Sequence, residues 1–140
     1  MARVAIVTGG TRGIGEAISL ALKAQGRTVV ASYAGNEEKA RRFSDAHGIP
    51  AYKWDVGDHE ACLDGCRRVE AEVGEIDIVV NNAGFVKPGS LEDTTLADWD
   101  AQFAVMTRGS FVVTQAAARV LRGQGLGGDV INICSKNAVF

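Results

Sequence analysis

The chain has 140 residues, 15 Lys and Arg against 17 Asp and Glu for a formal net charge of −2, 46% hydrophobic residues, and 17 Gly against 2 Pro. That size and apolar content suit one globular domain with its own core; collagen-like, coiled-coil and disordered classes are excluded, because the glycines keep no triplet period and no heptad persists. The near-neutral balance offers no electrostatic footprint for nucleic acid or an anionic membrane surface. The apolar stretch after Met1-Ala2-Arg3 is too short for a signal segment or a membrane span, so the expected location is the cytoplasm.

In chain order the sequence alternates strands and helices. Val4-Ala5-Ile6-Val7-Thr8 is a continuous apolar run suited to a strand buried on both faces. Gly9 to Gly15 forms a turn, and Ile14, Ala17, Ile18, Ala21 and Leu22 then recur at helical spacing until Gly26. Thr28 to Ser32 is a second strand, and Asn36 caps a polar helix that turns Ala40 and Phe43 inward. Ala51 to Asp55 reads as a third strand, followed by a helix capped by Asp58, running through Cys62, Val69 and Val73 and stopping at Gly74. Ile76 to Val80 is a fourth strand, and a loop from Asn82 to Thr94 leads to one long helix from about Leu96 to Leu121. Gly123 to Gly128 connects to a fifth strand, Val130 to Cys134. Strand–helix alternation without hairpin signals implies right-handed crossovers and a parallel sheet. The expected fold is a single α/β domain over residues 1–140, a Rossmann-type doubly wound sheet of five strands in the order 3-2-1-4-5.

Most other candidate groups read as packing. Cys62 and Cys66 stand four apart without a second ligand pair at metal spacing, so they are expected as small semi-buried helix residues, and no metal site is expected. His47 and His59 are expected on helix surfaces, and Trp99, Phe103, Phe111 and Val112 in packing or a subunit interface.

The strongest chemical signal is Thr8-Gly9-Gly10-Thr11-Arg12-Gly13-Ile14-Gly15, between a buried strand and a helix. Such a turn presents backbone N–H groups and the positive end of a helix dipole to a pyrophosphate, and glycines let the backbone come close. The order GxxxGxG differs from the GxGxxG of most dinucleotide folds and resembles the TGxxxGIG signature of the short-chain dehydrogenase/reductase family. Asn81-Asn82-Ala83-Gly84 after the fourth strand and Trp54-Asp55-Val56 at the end of the third match two further family motifs in the same order.

The resemblance implies a nicotinamide dinucleotide held by Gly9, Thr11, Arg12, Gly13, Ile14 and Gly15 of the loop, by Tyr33 after the second strand, by Asp55 and Val56, and by Asn82, Ala83 and Gly84. Asp55 would bond the adenine amino group. Position 32–35 carries Ser-Tyr-Ala-Gly, without the carboxylate that usually accepts the ribose hydroxyls of NAD, and Arg12 can pair with a 2′-phosphate. NADP is therefore the expected cofactor, with Lys39, Arg41 and Arg42 as possible helpers and Glu37 and Glu38 as opposing charges.

The family moves a hydride between nicotinamide and a carbonyl, so the expected partner is a small-molecule carbonyl substrate. Ser135 matches the family's catalytic Ser, whereas Met106 stands where a helix Asn normally holds a relay water. Tyr33 and Tyr52 are the only tyrosines; their fourth followers are Glu37 and Val56, so no Tyr-x-x-x-Lys pair exists in these residues and no turnover is expected from them alone. Residues 1–84 are most similar to acetoacetyl-CoA and 3-oxoacyl-carrier-protein reductases. Residues 85–140 are similar to the dehydrogenase part of bifunctional rhamnulose-phosphate aldolase/alcohol dehydrogenases, a change that suggests a chimera or a fragment. The alternatives are a non-catalytic nucleotide-binding module and an engineered folding or recombination product. Without its companion helix, the long helix, or the fifth strand, is expected to support a homo-oligomer.

Overall fold

The structure, a computed structural model, describes residues 2–125 and 127–135. Residues 136–140, part of the segment that carries the aldolase/dehydrogenase likeness, lie outside the described residues. Strands β1 (Ala2–Val7), β2 (Thr28–Tyr33), β3 (Ala51–Lys53), β4 (Gly74–Asn81) and β5 (Asp129–Asn132) form one parallel sheet in the order β3-β2-β1-β4-β5. The crossovers are α1 (Gly13–Ala24), α2 (Glu37–His47), α3 (His59–Glu72), and a helical stretch divided into α4 (Leu96–Phe103), a π turn (Ala104–Arg108) and α5 (Gly109–Gln124).

Alternation along the strands divides the core into two layers. Val4, Ile6, Val30, Ile76 and Val79 point to one face, where α3 and α5 bring Val69, Val112, Val113 and Ala117. Ala5, Val7, Val29, Ala31, Ile78 and Val80 point to the other, beneath Phe43 of α2 and partly buried Ile18 and Leu22 of α1. Three helices start on side-chain caps: Asn36 accepts from Lys39 N, Asp58 from Ala61 N and Thr95 from Asp98 N. A register shift in the β1–β4 pairing lets Asp77 sit as an extra residue between Ile76 and Ile78. Its buried carboxylate is held by Arg3 at 3.2 Å and Arg27 at 3.4 Å, which ties the lower ends of β1, β2 and β4 together.

Several expectations need correction. Helix α3 ends at Glu72 with Val73 as C-cap, and Gly74 at φ 154° is already the first residue of β4, so the strand starts two residues before the expected Ile76. The third strand ends at Lys53 rather than Asp55, and the fifth runs Asp129–Asn132 rather than Val130–Cys134. Only part of the periodic apolar set of α1 packs: Ile18 and Leu22 lie against the core, Ile14, Ala17 and Ala21 are exposed, and Gly15 and Ser19 are the buried residues. A serine can occupy that face because its hydroxyl donates to Gly10 O at 3.0 Å or Gly15 O at 2.9 Å, so no polar atom is stranded. The long helix is interrupted by the π turn, which the hydrophobic pattern does not announce. Trp99, Phe103 and Phe111 are exposed, with Trp99 stacked on Phe103 at 4.6 Å, while Val112 is core. Met106 is 39% exposed and is not a core residue.

Cys62 and Cys66 are free thiols buried between α3 and the sheet, and the Cys62 thiol donates to Val56 O at 3.4 Å. Burial, then Asp58 and Asp55, pushes the Cys62 thiol up to about 11; burial, then Cys62 and Glu70, pushes Cys66 up to about 12. The folded chain thus holds both protons more tightly than an ordinary thiol at 9.0, so this contribution to stability is complete below pH 9.0 and is lost as pH climbs through about 11 to about 12. Urea unfolding at pH 8 and pH 10.5 is expected to show a fall in stability that is smaller in the Cys62→Ala/Cys66→Ala variant; equal falls would show that the thiols do not carry it.

Candidate functional site

The carboxyl ends of β1, β2, β3 and β4 open onto one cleft of about 880 Å³, within the range of small-molecule sites. Its floor is set by the approach of α1 to the ends of β1 and β4. A Cβ on Gly15 would lie 2.1 Å from Gly9 O and 2.6 Å from the Asn82 amide nitrogen, so no other residue fits there without moving the helix. Gly9 takes φ 62°, the left-handed region that favours glycine, and turns the chain from strand to helix.

Thr8 and Asn82 stitch this floor. The buried Thr8 hydroxyl accepts from Asn82 N and Ala83 N, both at 3.0 Å, and donates to Val80 O at 3.2 Å. The Asn82 amide donates to Thr8 O at 3.0 Å and to Gly9 O at 3.3 Å. From the other side, Gly10 N donates to Ser32 O at 3.1 Å, bringing the end of β2 alongside the glycine turn.

Unlike α2, α3 and α4, helix α1 has no side-chain cap: Arg12 is the N-cap residue in an extended conformation, and its side chain makes no capping bond. The first N–H groups of α1 therefore face the cleft without a side-chain acceptor, at the positive end of the helix dipole. The cleft lacks what an acid would supply there and offers the complement of an anion.

All twelve residues expected to hold a dinucleotide line this one cleft: Gly9, Thr11, Arg12, Gly13, Ile14 and Gly15 on one side, Tyr33 beside them, and Asp55, Val56, Asn82, Ala83 and Gly84 opposite. Ile14 is 67% exposed at its mouth. Of the possible helpers, Lys39 lines the cleft, whereas Arg41 does not, and Arg42 is engaged by Glu38. The opposing acids are also drawn off, because Glu37 pairs with Lys53 at 3.4 Å and neither Glu37 nor Glu38 lines the cleft. Arg12 and Lys39 are thus the cations of the cleft and Asp55 its acid. One Asp55 oxygen accepts from Gly57 N at 2.8 Å.

Sequence reasoning missed Thr8 as the stitch, and missed Ser32, Trp54, Phe85 and Val105 as wall residues. Thr8 was visible only as the end of the first strand and the first letter of the glycine motif; Val105 shares helical spacing with Val112 and Ala116, which marks it as packing and not as cleft wall. Met106 packs against Gly84, whose Cβ would meet the Met106 side chain at 3.4 Å. Ser135 is exposed beyond the end of β5 and is not among the residues lining the cleft. Among the described residues no three His, Cys, Asp or Glu side chains gather as a metal set, and no helix is long and apolar enough to cross a membrane.

The family model for short chain dehydrogenase matches residues 3–140. An acetoacetyl-CoA reductase of Rhizobium meliloti (strain 1021) is 47% identical over 137 residues, which are 98% of this chain and 56% of that protein. That single alignment runs through both sides of the Asn81-Asn82-Ala83-Gly84 motif. An acetoacetyl-CoA reductase of Paracoccus denitrificans is 44% identical over 98% of this chain and 56% of its own length, so the chain spans about half the length of these relatives. A solved short chain dehydrogenase of Burkholderia cenocepacia J2315, in complex with NADP, superposes with a TM-score of 0.87 at 41% identity, covering 96% of this chain and 56% of that one. With a family match over nearly its whole length, relatives approaching half identity and a cleft built from the family's motifs, the chain belongs to the short chain dehydrogenase family.

Proposed function

We propose that the chain is the NADP(H)-binding part of a carbonyl reductase of the acetoacetyl-CoA or 3-oxoacyl type. The observation that carries this reading is the uncapped start of α1 in a cleft whose cations are Arg12 and Lys39. The α1 N–H groups suit the pyrophosphate, Arg12 and Lys39 suit a 2′-phosphate, and the Asp55 oxygen not taken by Gly57 suits the adenine amino group. The NADP held by the Burkholderia relative and the reductase names of the R. meliloti and P. denitrificans relatives support the same assignment. When bound, the cofactor supplies the hydride. The protein residues bind and orient it: the Thr8–Asn82 stitch fixes the cleft floor, and Val105 and Phe85 give the wall near Gly84 an apolar surface.

In this reading Ser135 serves the carbonyl substrate, and Met106 cannot hold a relay water at its position. The residues present provide no Tyr-x-x-x-Lys pair. The exposed Trp99–Phe103 stack, Leu96 and Phe111 support self-association along α4 and α5, with the exposed β5 residues Val130 and Ile131 as the other candidate surface. Free thiols at Cys62, Cys66 and Cys134 suit a reducing cytoplasm.

Titration followed by energy transfer from Trp54, in the cleft wall, to bound NADPH tests the cofactor assignment. NADPH is expected to bind more tightly than NADH, and Arg12→Ala is expected to weaken NADPH by about tenfold, the order of one charge-assisted contact, while leaving NADH nearly unchanged. Equal affinities, or an Arg12→Ala variant that binds NADPH as before, would contradict it.

With a 3-oxoacyl thioester present, these 140 residues alone are expected to oxidise NADPH no faster than the uncatalysed background. Adding the carboxyl-terminal part of a full-length acetoacetyl-CoA reductase is expected to recover turnover. Binding without any recovery would favour a non-catalytic nucleotide-binding module instead.

A further inference from the structure

The π turn borders the cofactor cleft: Val105 lines it, Met106 lies against Gly84, and Arg108 reaches the loop behind Asp55. Arg108, the last residue of the turn, donates through Nη2 to Gly57 O at 3.0 Å. It is exposed, forms no ion pair among the described residues, and does not line the cleft. Gly57 closes a short loop with Asp55, donating its N–H to the Asp55 carboxylate at 2.8 Å, while Asp58 N donates to Asp55 O at 3.0 Å. The same loop is pressed by the helix on a second side. A Cβ on Gly109 would lie 2.8 Å from Val56 O, and one on Gly57 would lie 3.7 Å from both Ala104 and Val105.

The π turn, Ala104–Arg108, lies where the helical stretch passes this loop. Val105 reaches the cleft, Arg108 reaches over the loop, and Gly109 lets the helix pass against Val56. The three positions are spaced i, i+3 and i+4, so they share one face of the helical stretch, the face that meets the loop. The guanidinium is a fixed donor fork, and a carbonyl acceptor is what it finds here.

We propose that Arg108 is a positioning residue for the cofactor: by holding Gly57 O it fixes the Asp55–Val56–Gly57 wall, and so the acid and the apolar side that receive the adenine. The inference rests on the functional reading above. Arg108 touches no part of the cofactor in this account; it acts through Gly57, which sets the aim of the Asp55 carboxylate.

The test uses the whole chain and its Arg108→Met and Arg108→Lys variants. Arg108→Met is expected to weaken NADPH by about fivefold, the order of one ordinary net hydrogen bond. The same factor is expected for adenosine 2′,5′-bisphosphate, which carries only the adenine half. Arg108→Lys, which keeps a charged donor, is expected to restore most of the affinity. Amide exchange in the ligand-free Met variant is expected to quicken at Gly57 and Asp58 and to stay unchanged in β1 and β4. Wild-type affinity in Arg108→Met, no rescue by lysine, or faster exchange throughout the sheet would each overturn the inference while the cofactor reading stands. Failure of the unsubstituted chain to bind NADPH would overturn the functional reading and this inference with it.

Discussion

The closeness of α1 to the ends of β1 and β4 is the constraint on which the rest of the site depends. At Gly15 there is no room for a single added carbon, and that contact places the start of the helix over the sheet edge where four strands end. Once the helix is there, its uncapped N–H groups face the cleft instead of a side chain. Thr8 and Asn82 then hold the two central strand ends in register beneath it, with the Thr8 hydroxyl both donating and accepting and the Asn82 side-chain N–H groups on Thr8 O and Gly9 O. The stitch itself lies between the ends of β1 and β4, and the missing Cβ of Gly15 lets α1 close over it.

The two layers of the core support this in different ways. The α1–α2 side has the smaller buried cluster, with Phe43 and Ile49 as its bulk, and at α1 it is closed by Gly15 and by Ser19, whose hydroxyl returns to the glycine turn. The α3–α5 side carries the larger buried cluster, including both thiols, Tyr52 and Trp54. That second layer also bears the loop with Asp55 and the π turn, so the part of the cleft assigned to adenine is anchored in the firmer half of the domain. The apolar outer face of α4 belongs to neither layer, which is why Trp99 and Phe103 stack on each other in the open.

The strand–helix order, the sheet order 3-2-1-4-5 and the caps at Asn36 and Asp58 were legible in the sequence, because each rests on a local rule: buried strands read as apolar runs, and short polar side chains precede helices. The gathering of the motif residues around one cleft was legible for a related reason, since they sit at strand ends that a parallel sheet brings to one edge. What could not be read were features set by tertiary contact. Ser19 scores as polar yet is buried; Gly74 looks like a helix stop yet begins β4; the π turn leaves no mark on a periodic pattern. Asp77 inside an apolar strand was a visible irregularity, but its meaning depended on Arg3 and Arg27 arriving from other parts of the chain.

Amide hydrogen exchange with and without NADPH tests the central claim most directly, because it reports where the dinucleotide sits regardless of turnover. Protection is predicted at Gly9–Gly15, at Asp55 and Val56, and at Asn82–Gly84, with the groove between α3 and α5 at the opposite end of the sheet unchanged. Protection confined to that groove, or none at saturating NADPH, would contradict the account.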